Sequence, residues 1–321
     1  MKNKIIIVTG DPNSINSELI YKSWKKINIS LKKKIVLISN YKLLKEQFKM
    51  LNYPIKITKI DDLDAQRSNS SLKIIDIKLN FINSFKVSKK NASKFVIKSL
   101  NYAHKLALNK DYKGLINCAI SKKLLRKNNF GVTEYLASKN NIKNNSEVML
   151  IRNDNLSVSP ITTHLDIKNI SKKLNSDLII NKVDTIEFWF KKNFNKKPKI
   201  AMLGLNPHNA ELRNNSEERK VIIPSILMLK RKGVNITGPL VADTLFIEDY
   251  KKYDVIVGMF HDQVITPFKT LFKFNAINVT LGLNYLRVSP DHGVAENLIG
   301  KNKANSTSLI NCINFVNKFD K

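Results

Sequence analysis

Short apolar runs rich in β-branched residues alternate with helical segments, and this alternation constrains the fold more than any other feature of the chain. Strands that alternate with helical patterns of about 10–15 residues are typical of α/β layers. The predicted strands cover Lys4–Val8, Lys34–Ser39, Ile55–Ile60, Gly114–Ile120, Val148–Ile151, Leu156–Ile161, Lys199–Leu203 and Val255–Val257. The predicted helices cover Ile15–Ile27, 42–51, Asn91–Leu108, 177–192, Glu217–Lys232 and Ala304–Phe319. Gly238-Pro239 is predicted to form a turn.

The first strand, turn and helix have the order of a dinucleotide-binding unit. However, residues 11–18 read DPNSINSE and contain no glycine. A Gly-rich backbone cradle for pyrophosphate is therefore not supported at this turn.

Length and composition indicate an ordinary soluble protein. The 321 residues suffice for two packed domains, and hydrophobic residues make up 43% of the chain. We find no apolar run near the roughly 20 residues of a membrane helix, and the N-terminus lacks the features of a signal peptide. Cys118 and Cys312 lie far apart in the sequence. We therefore expect a reduced, cytoplasmic protein with no membrane partner.

The net charge of +29 raises the alternative of a nucleic-acid-binding protein. Only seven of the 55 basic residues are Arg, the residue that base readout favours for its bidentate geometry. The lysines are spread along the chain, and we find no zinc-finger spacing and no RNA-binding aromatic motif. We therefore predict no nucleic-acid partner, although a basic surface would attract anionic substrates.

Three of the five histidines share a setting. His164, His208 and His261 each follow an apolar run of strand length. One such histidine is more often a satisfied polar residue than a metal ligand. Three in equivalent positions favour a site that the fold assembles, and neutral imidazoles suit divalent metals such as Zn or Co. His104 lies within a predicted helix and is interpreted as structural.

Further polar residues follow the strand at Val255–Val257: Asp262 and Gln263, then Lys269, Asn278, Arg287 and the run Asp291-His292-Gly293. Ligands of open α/β sheets bind beyond the carboxyl ends of the strands. This stretch is therefore a candidate for a metal or substrate site.

With these residues in view, the chain resembles the 4-hydroxythreonine-4-phosphate dehydrogenase family of pyridoxal phosphate biosynthesis. The likeness covers nearly the whole chain and is strongest after residue 160. The matching motifs are TTH (162–164), GLNPH (204–208), GP-x-x-ADTLF (238–246), MFHDQ (259–263), Lys269, NVTLGL (278–283), LRVS (286–289) and DHG-x-A (291–295).

The resemblance implies a two-domain α/β/α fold like that of isopropylmalate dehydrogenase, with the active site in the interdomain cleft. Together with a change of pattern near residue 128, it predicts a first α/β domain of residues 1–127 plus 301–321. Residues 128–300 would form the second domain, with the metal motifs, the substrate motifs and the interface of a homodimer that shares its active sites.

The resemblance also implies the residues of the site. His164, His208 and His261 would bind a divalent metal (Zn, Mg or Co), with ligands from both subunits. Thr133, Lys269, Asn278 and Arg287 would bind a phosphorylated small-molecule substrate. His292, Gly293, Ala295 and Asn305 would lie near NAD. Asp262, Lys269 and Asp243 are the candidate catalytic residues, although Asp262 could equally be a hydrogen-bond partner of His261.

The implied reaction is the oxidation of 4-phosphohydroxy-L-threonine by NAD, followed by loss of CO₂. Several family positions differ here. Ser14 and Asn16 replace glycines, Val132 replaces a substrate-binding histidine, and NAELRNN (209–215) replaces a Gly-rich run. A related phosphorylated acid, such as 4-phosphothreonate or phosphoerythronate, therefore remains an alternative substrate. A catalytically degenerate paralogue remains an alternative function.

Overall fold

The computed structural model describes residues 3–60, 71–109, 111–125, 131–140, 142 and 146–319. The strands are β1 (Lys4–Val8), β2 (Ile35–Ser39), β3 (Ile57–Lys59), β4 (Leu72–Asp76), β5 (Tyr112–Asn117), β6 (Val148–Arg152), β7 (Ser157–Thr162), β8 (Ile200–Leu203), β9 (Ile236–Leu240), β10 (Val255–Phe260), β11 (Ile277–Leu281) and β12 (Arg287–Pro290). The helices are α1 (Asn16–Lys26), α2 (Ile29–Lys34), α3 (Tyr41–Met50), α4 (Lys89–Ala107), α5 (Val132–Lys139), α6 (Ile170–Lys173), α7 (Ser176–Phe194), α8 (Ile223–Arg231), α9 (Ala242–Leu245), α10 (His261–Phe272) and α11 (Thr307–Lys318).

The chain divides into two compact units. The first comprises Met1–Leu136 and Asn284–Lys321, and the second comprises Ala137–Leu283. The predicted domain boundary at 127/128 lies outside the described residues. The predicted boundary at 300/301 differs from the observed one, since the chain returns to the first unit between residues 283 and 284. The reason is that β12 pairs with β5 of the first unit.

The first unit contains a parallel sheet. Its strand order is β3-β4-β2-β1-β5-β12, and the neighbouring strands are parallel. Every residue of β1, β2 and β5 is buried, as expected of parallel strands covered on both faces. Amphipathic helices contribute the buried side chains Leu19, Leu44, Phe95 and Leu309.

The second unit contains a mixed sheet in the order β11-β6-β7-β10-β8-β9. The pairs β11–β6 and β6–β7 are antiparallel, while β7, β10, β8 and β9 run parallel. The buried cluster between this sheet and its helices includes Met149, Leu156, Leu203, Ile256, Val264 and Phe268. The predicted α/β class is confirmed in both units.

Several elements differ from the sequence prediction. The turn predicted at Gly238-Pro239 is wrong, because both residues lie within β9. β9 occupies the edge of the second unit's sheet, where a proline can be accommodated without interrupting the hydrogen bonds of a central strand. In the predicted helix Glu217–Lys232, a π-helical turn at Glu218–Ile222 precedes α8. Among the described residues, no helix has the length and apolar character needed to cross a bilayer.

Candidate functional site

The three histidines predicted as metal ligands follow three strands that end at the same edge of one sheet. β10 lies between β7 and β8 and is parallel to both. His261 is the first residue of α10, directly after β10, whereas His164 and His208 lie in the segments that follow β7 and β8. Since the carboxyl ends of parallel strands share an edge, the topology alone gives these histidines a common setting.

The rings of His164 and His261 are neighbours, with centroids 6.0 Å apart and planes inclined at 32°. Asp262 Oδ1 lies 2.7 Å from His261 Nδ1. A carboxylate on Nδ1 favours the tautomer that leaves the Nε2 lone pair available to a further partner. The His261 side chain is 38% exposed, so an external ligand can reach it.

His208 lies in a left-handed turn. Residues 208–212 all have positive φ, from 49° to 56°, although none of them is glycine. L-residues adopt this conformation at a cost of about 1–2 kcal/mol each. In the resembling family, a Gly-rich run occupies this part of the chain. Within the described part of one chain, no group of three or more His, Cys, Asp and Glu side chains is arranged to hold a metal.

The loop before His208 is held by a buried carboxylate. Glu218 is fully buried, and its Oε1 accepts hydrogen bonds from the backbone N–H groups of Leu205 and Asn206, both at 2.8 Å. The Asn206 side chain donates to Glu218 Oε2 at 3.1 Å. Burial by itself raises the pKa of Glu218, but these hydrogen bonds outweigh it and hold the pKa below its usual value. Sequence reasoning did not identify Glu218.

In the first unit, the structure brings together two residues predicted to bind substrate. Arg287, at the start of β12, is 2% exposed, and its Nη1 donates to Thr133 Oγ1 at 3.1 Å. Arg287 Nε donates to Asn117 Oδ1 at 2.7 Å. Burial lowers the pKa of Arg287 to about 10, so the guanidinium remains charged at neutral pH. Asn117 was not predicted as a site residue; its position at the carboxyl end of β5 was the available signal.

Other predicted residues lie in the second unit. Asn278 lies on β11, and its Oδ1 is buried without a hydrogen-bond partner among the described residues. Lys269 is exposed on α10. Asp243 is exposed on α9, where its Oδ1 accepts a hydrogen bond from the Thr244 N–H at 2.8 Å.

The segment predicted to lie near NAD follows β12. The space around Gly293 is open, because an added Cβ would meet nothing within 4 Å. His292 Nδ1 lies 2.9 Å from the Gly293 carbonyl oxygen, and Ala295 has a φ of 46°. Asn305 Oδ1 accepts a hydrogen bond from the Thr307 N–H at 2.9 Å, next to the start of α11.

Helix α1 holds the later part of this segment. Glu18 is 1% exposed and accepts a hydrogen bond from the Ala304 N–H at 2.8 Å. Lys22 Nζ donates to Glu18 and to the carbonyl oxygens of Asn302 and Ala304, at 2.7, 2.9 and 3.0 Å. Sequence reasoning identified neither Glu18 nor Lys22.

Comparison with known proteins identifies the family. Residues 31–316 match the family described as pyridoxal phosphate biosynthetic protein PdxA. The chain is 36% identical over 320 residues to 4-hydroxythreonine-4-phosphate dehydrogenase of a Sulfurihydrogenibium species, covering 97% of this chain and 96% of that protein. It is 32% identical over 322 residues to the Aquifex aeolicus enzyme of the same name, covering 98% of each.

Solved structures share the fold. The crystal structure of 4-hydroxythreonine-4-phosphate dehydrogenase from Klebsiella pneumoniae aligns with a TM-score of 0.84 at 27% identity, covering 98% of each chain. A terephthalate 1,2-cis-dihydrodiol dehydrogenase from Burkholderia xenovorans aligns with a TM-score of 0.64 at 19% identity, which shows a likeness of fold alone. The family match and the full-length relatives together show that this chain belongs to the PdxA family of pyridoxal phosphate biosynthetic proteins.

Proposed function

We propose that this chain is an NAD-dependent and divalent-metal-dependent dehydrogenase of 4-phosphohydroxy-L-threonine. The secondary alcohol is oxidised to a 3-oxo acid, which loses CO₂ to give 3-amino-2-oxopropyl phosphate in pyridoxal phosphate biosynthesis. The observation that carries this proposal is the pair of imidazoles at His164 and His261, with Asp262 on His261 Nδ1, in a chain of the PdxA family.

The donor chemistry of this pair fits a zinc-like or cobalt-like cation. Both imidazoles follow the carboxyl ends of adjacent strands. The hydrogen bond between Asp262 and His261 Nδ1 leaves the Nε2 lone pair of His261 available to a cation. We propose that His208 of a second copy supplies the third ligand, in a homodimer with shared active sites. When bound, the cation would supply Lewis acidity at the substrate hydroxyl, and NAD would provide the acceptor for the hydride.

The remaining residues bind and orient the substrate. Arg287 presents a buried cation that Asn117 and Thr133 orient, which suits a phosphate or carboxylate group. Asn278 Oδ1, which no hydrogen bond within the described part of the chain occupies, provides an acceptor for a substrate hydroxyl or ammonium group. Lys269 supplies a further positive charge. Asp262 would take the proton of the substrate hydroxyl or, alternatively, would only orient His261. Asp243 would supply a second carboxylate to the site.

The segment after β12 is our proposed NAD site. The open space at Gly293 leaves the backbone accessible to a ligand. His292 and Ala295 lie near Gly293 in the sequence, and Asn305 follows before α11. An imidazole and a carboxamide are suitable partners for the hydroxyl groups and ring nitrogens of adenosine.

The proposal is tested by following NADH absorbance with purified protein, NAD and 4-phosphohydroxy-L-threonine. We expect turnover that EDTA abolishes and that added Zn²⁺, Co²⁺ or Mg²⁺ restores, with one CO₂ released per NADH formed. Absence of turnover with every metal would contradict the proposal, and absence of turnover with the related phosphorylated acids as well would favour a catalytically degenerate paralogue.

A second candidate substrate is a related phosphorylated acid, such as 4-phosphothreonate or phosphoerythronate. Val132 favours this candidate, because it stands where the resembling family has a substrate-binding histidine. The same assay with each acid distinguishes the candidates, since the true substrate should give the highest kcat/KM.

A further inference from the structure

Gln263 joins two of the histidine-bearing segments. Its Oε1 accepts a hydrogen bond from the Met259 N–H at 2.7 Å, within the end of β10. Its Nε2 donates to the Gly204 carbonyl oxygen, also at 2.7 Å, in the loop that follows β8. Because one partner is a donor and the other an acceptor, the orientation of the amide is determined. The side chain therefore links the turn at His261 to the loop that leads to His208.

Glycines lie on both sides of the hydrogen bonds that Gln263 makes, at Gly258 and Gly204. A Cβ at Gly258 would lie 2.8 Å from Gln263 Oε1 and 2.6 Å from Val264 Cγ1. A Cβ at Gly204 would lie only 2.0 Å from Asn209 Oδ1. A side chain at Gly258 would therefore press directly on the Gln263 amide, whereas one at Gly204 would displace the Asn209 side chain of the same loop.

The loop is held from its other side by Glu218. Gln263 bonds the carbonyl group of Gly204, while Glu218 bonds the N–H groups of the next two residues. Three consecutive residues are thus anchored immediately before Pro207 and His208. The left-handed turn that begins at His208 is a strained conformation, and such strain persists only where the surrounding structure holds it.

We propose that Gln263 is a positioning residue that, by holding Gly204 against the end of β10, sets the place from which His208 reaches the metal site of the second copy. The inference rests on the proposed function, in which His208 and His261 are metal ligands. Gln263 itself touches neither metal nor substrate. Its effect is on the loop conformation and, through the loop, on metal affinity.

The test uses the full chain with Gln263→Glu, which keeps the acceptor for Met259 but sets a carboxylate against the Gly204 carbonyl oxygen. Gln263→Met removes both hydrogen bonds without adding a charge. Gln47→Glu is the matched control. Gln47 is also a buried glutamine that donates to two carbonyl groups, those of Pro12 and Ser84 at 2.8 and 2.7 Å, but it lies in the first unit.

Two quantities are measured for each variant: Zn²⁺ affinity by titration calorimetry and amide hydrogen exchange of the peptide 200–212. We expect both Gln263 variants to bind Zn²⁺ about tenfold or more weakly, the size of effect that follows when the groups that orient a metal ligand are removed. We also expect faster exchange in 200–212. Gln47→Glu should lower the thermal midpoint while leaving Zn²⁺ affinity and this exchange unchanged.

The outcomes separate this inference from the proposed function. Wild-type Zn²⁺ affinity in both folded Gln263 variants overturns the positioning role. If the wild-type chain binds no divalent metal, the proposed function fails and the exchange data decide the inference alone. In that case, faster exchange confined to the Gln263 variants supports the link, and unchanged exchange overturns it.

Discussion

Arg287 carries a guanidinium that is almost completely enclosed, with 2% of the residue exposed. Arg287 donates hydrogen bonds to Asn117 Oδ1 and Thr133 Oγ1. A buried charge is costly unless it is hydrogen-bonded or paired, and these two bonds hold the guanidinium in one orientation. In the proposed function, this oriented charge binds an anionic group of the substrate.

We expect Arg287→Met to weaken binding of the phosphorylated acid about tenfold or more, since hydrogen bonds to charged groups contribute about 1.5–3 kcal/mol. Isothermal titration with the substrate, or KM in the NADH assay, measures this effect. Arg152→Met is the control. Its guanidinium carbon lies 4.8 Å from the centroid of the Phe194 ring, so its loss should reduce stability but not substrate affinity. Equal losses of affinity in both variants would contradict a binding role specific to Arg287.

Glu218 gives a pH-dependent prediction. Its folded-state pKa is lowered, so the carboxylate stabilises the fold fully above the ordinary carboxyl pKa of about 4.3. The contribution is lost as the pH falls through the lower, folded-state pKa. We expect Glu218→Gln to reduce the free energy of unfolding by about 1–3 kcal/mol at pH 7 and by progressively less below pH ~4.

Urea denaturation of the wild type and of Glu218→Gln between pH 7 and pH 3 measures this difference. Glu46→Gln, at an exposed position of α3, should change stability by less than about 0.5 kcal/mol at pH 7. A deficit in Glu218→Gln that stays constant down to pH 3 would show that the charge does not contribute.

At the scale of secondary-structure elements, helix α1 and the segment at 302–304 act together. Glu18 and Lys22 lie one helical turn apart, and Lys22 Nζ bridges Glu18 to two carbonyl groups of that segment. Tyr53 adds a hydrogen bond from its hydroxyl to Asn302 Oδ1 at 3.1 Å. The segment proposed to bind NAD is therefore fixed by a helix that lies far from it in the sequence.

We expect Lys22→Met to raise the KM for NAD several-fold and to leave the KM for the phosphorylated substrate unchanged. The reason is that two backbone carbonyl groups of the NAD segment lose their donor. Steady-state kinetics with each substrate varied in turn measures the two constants. Lys25→Met, at an exposed position of α1, is the matched control and should change neither. A rise in both constants would indicate general damage to the first unit.

Element boundaries were predicted well where the signal is local. β1 was predicted at its observed limits, and α3 is displaced by one residue from the predicted 42–51. β9 was missed because Gly238-Pro239 is a strong local turn signal, while its place at a sheet edge depends on β8, about 35 residues earlier. Hydrophobic periodicity depends on residues that are neighbours in the sequence, whereas strand pairing depends on strands that are distant in it.

At the scale of the whole molecule, the proposed homodimer gives the sharpest prediction. In one chain the described residues bring two of the three predicted ligands together, His164 and His261. If His208 of a second copy completes each site, then His208→Ala and His261→Ala should each be inactive alone. In a mixed dimer, one site would combine the intact His208 of one subunit with the intact His261 of the other.

We expect co-refolding of these two variants at equal concentrations to restore about one-quarter of wild-type activity. Half of the dimers would be mixed, and each mixed dimer would have one complete site of two. The NADH assay measures the recovery, with each variant refolded alone as the control. No recovery, despite mixed dimers detected by native mass spectrometry, would place His208 and His261 of each site in the same subunit and contradict the proposal.

The α/β class, the three histidines after strands and the family motifs could be read from the sequence, because each depends on residues close together in the chain. Only the tertiary structure showed which groups hold the candidate site in place. Gln263 bonds Gly204 across 59 positions, and Glu18 bonds Ala304 across 286. Such bonds require two backbones to approach and a side chain to turn toward a particular atom. Local patterns of hydrophobicity and charge do not predict which distant backbones come together, so only the tertiary structure determined these hydrogen bonds.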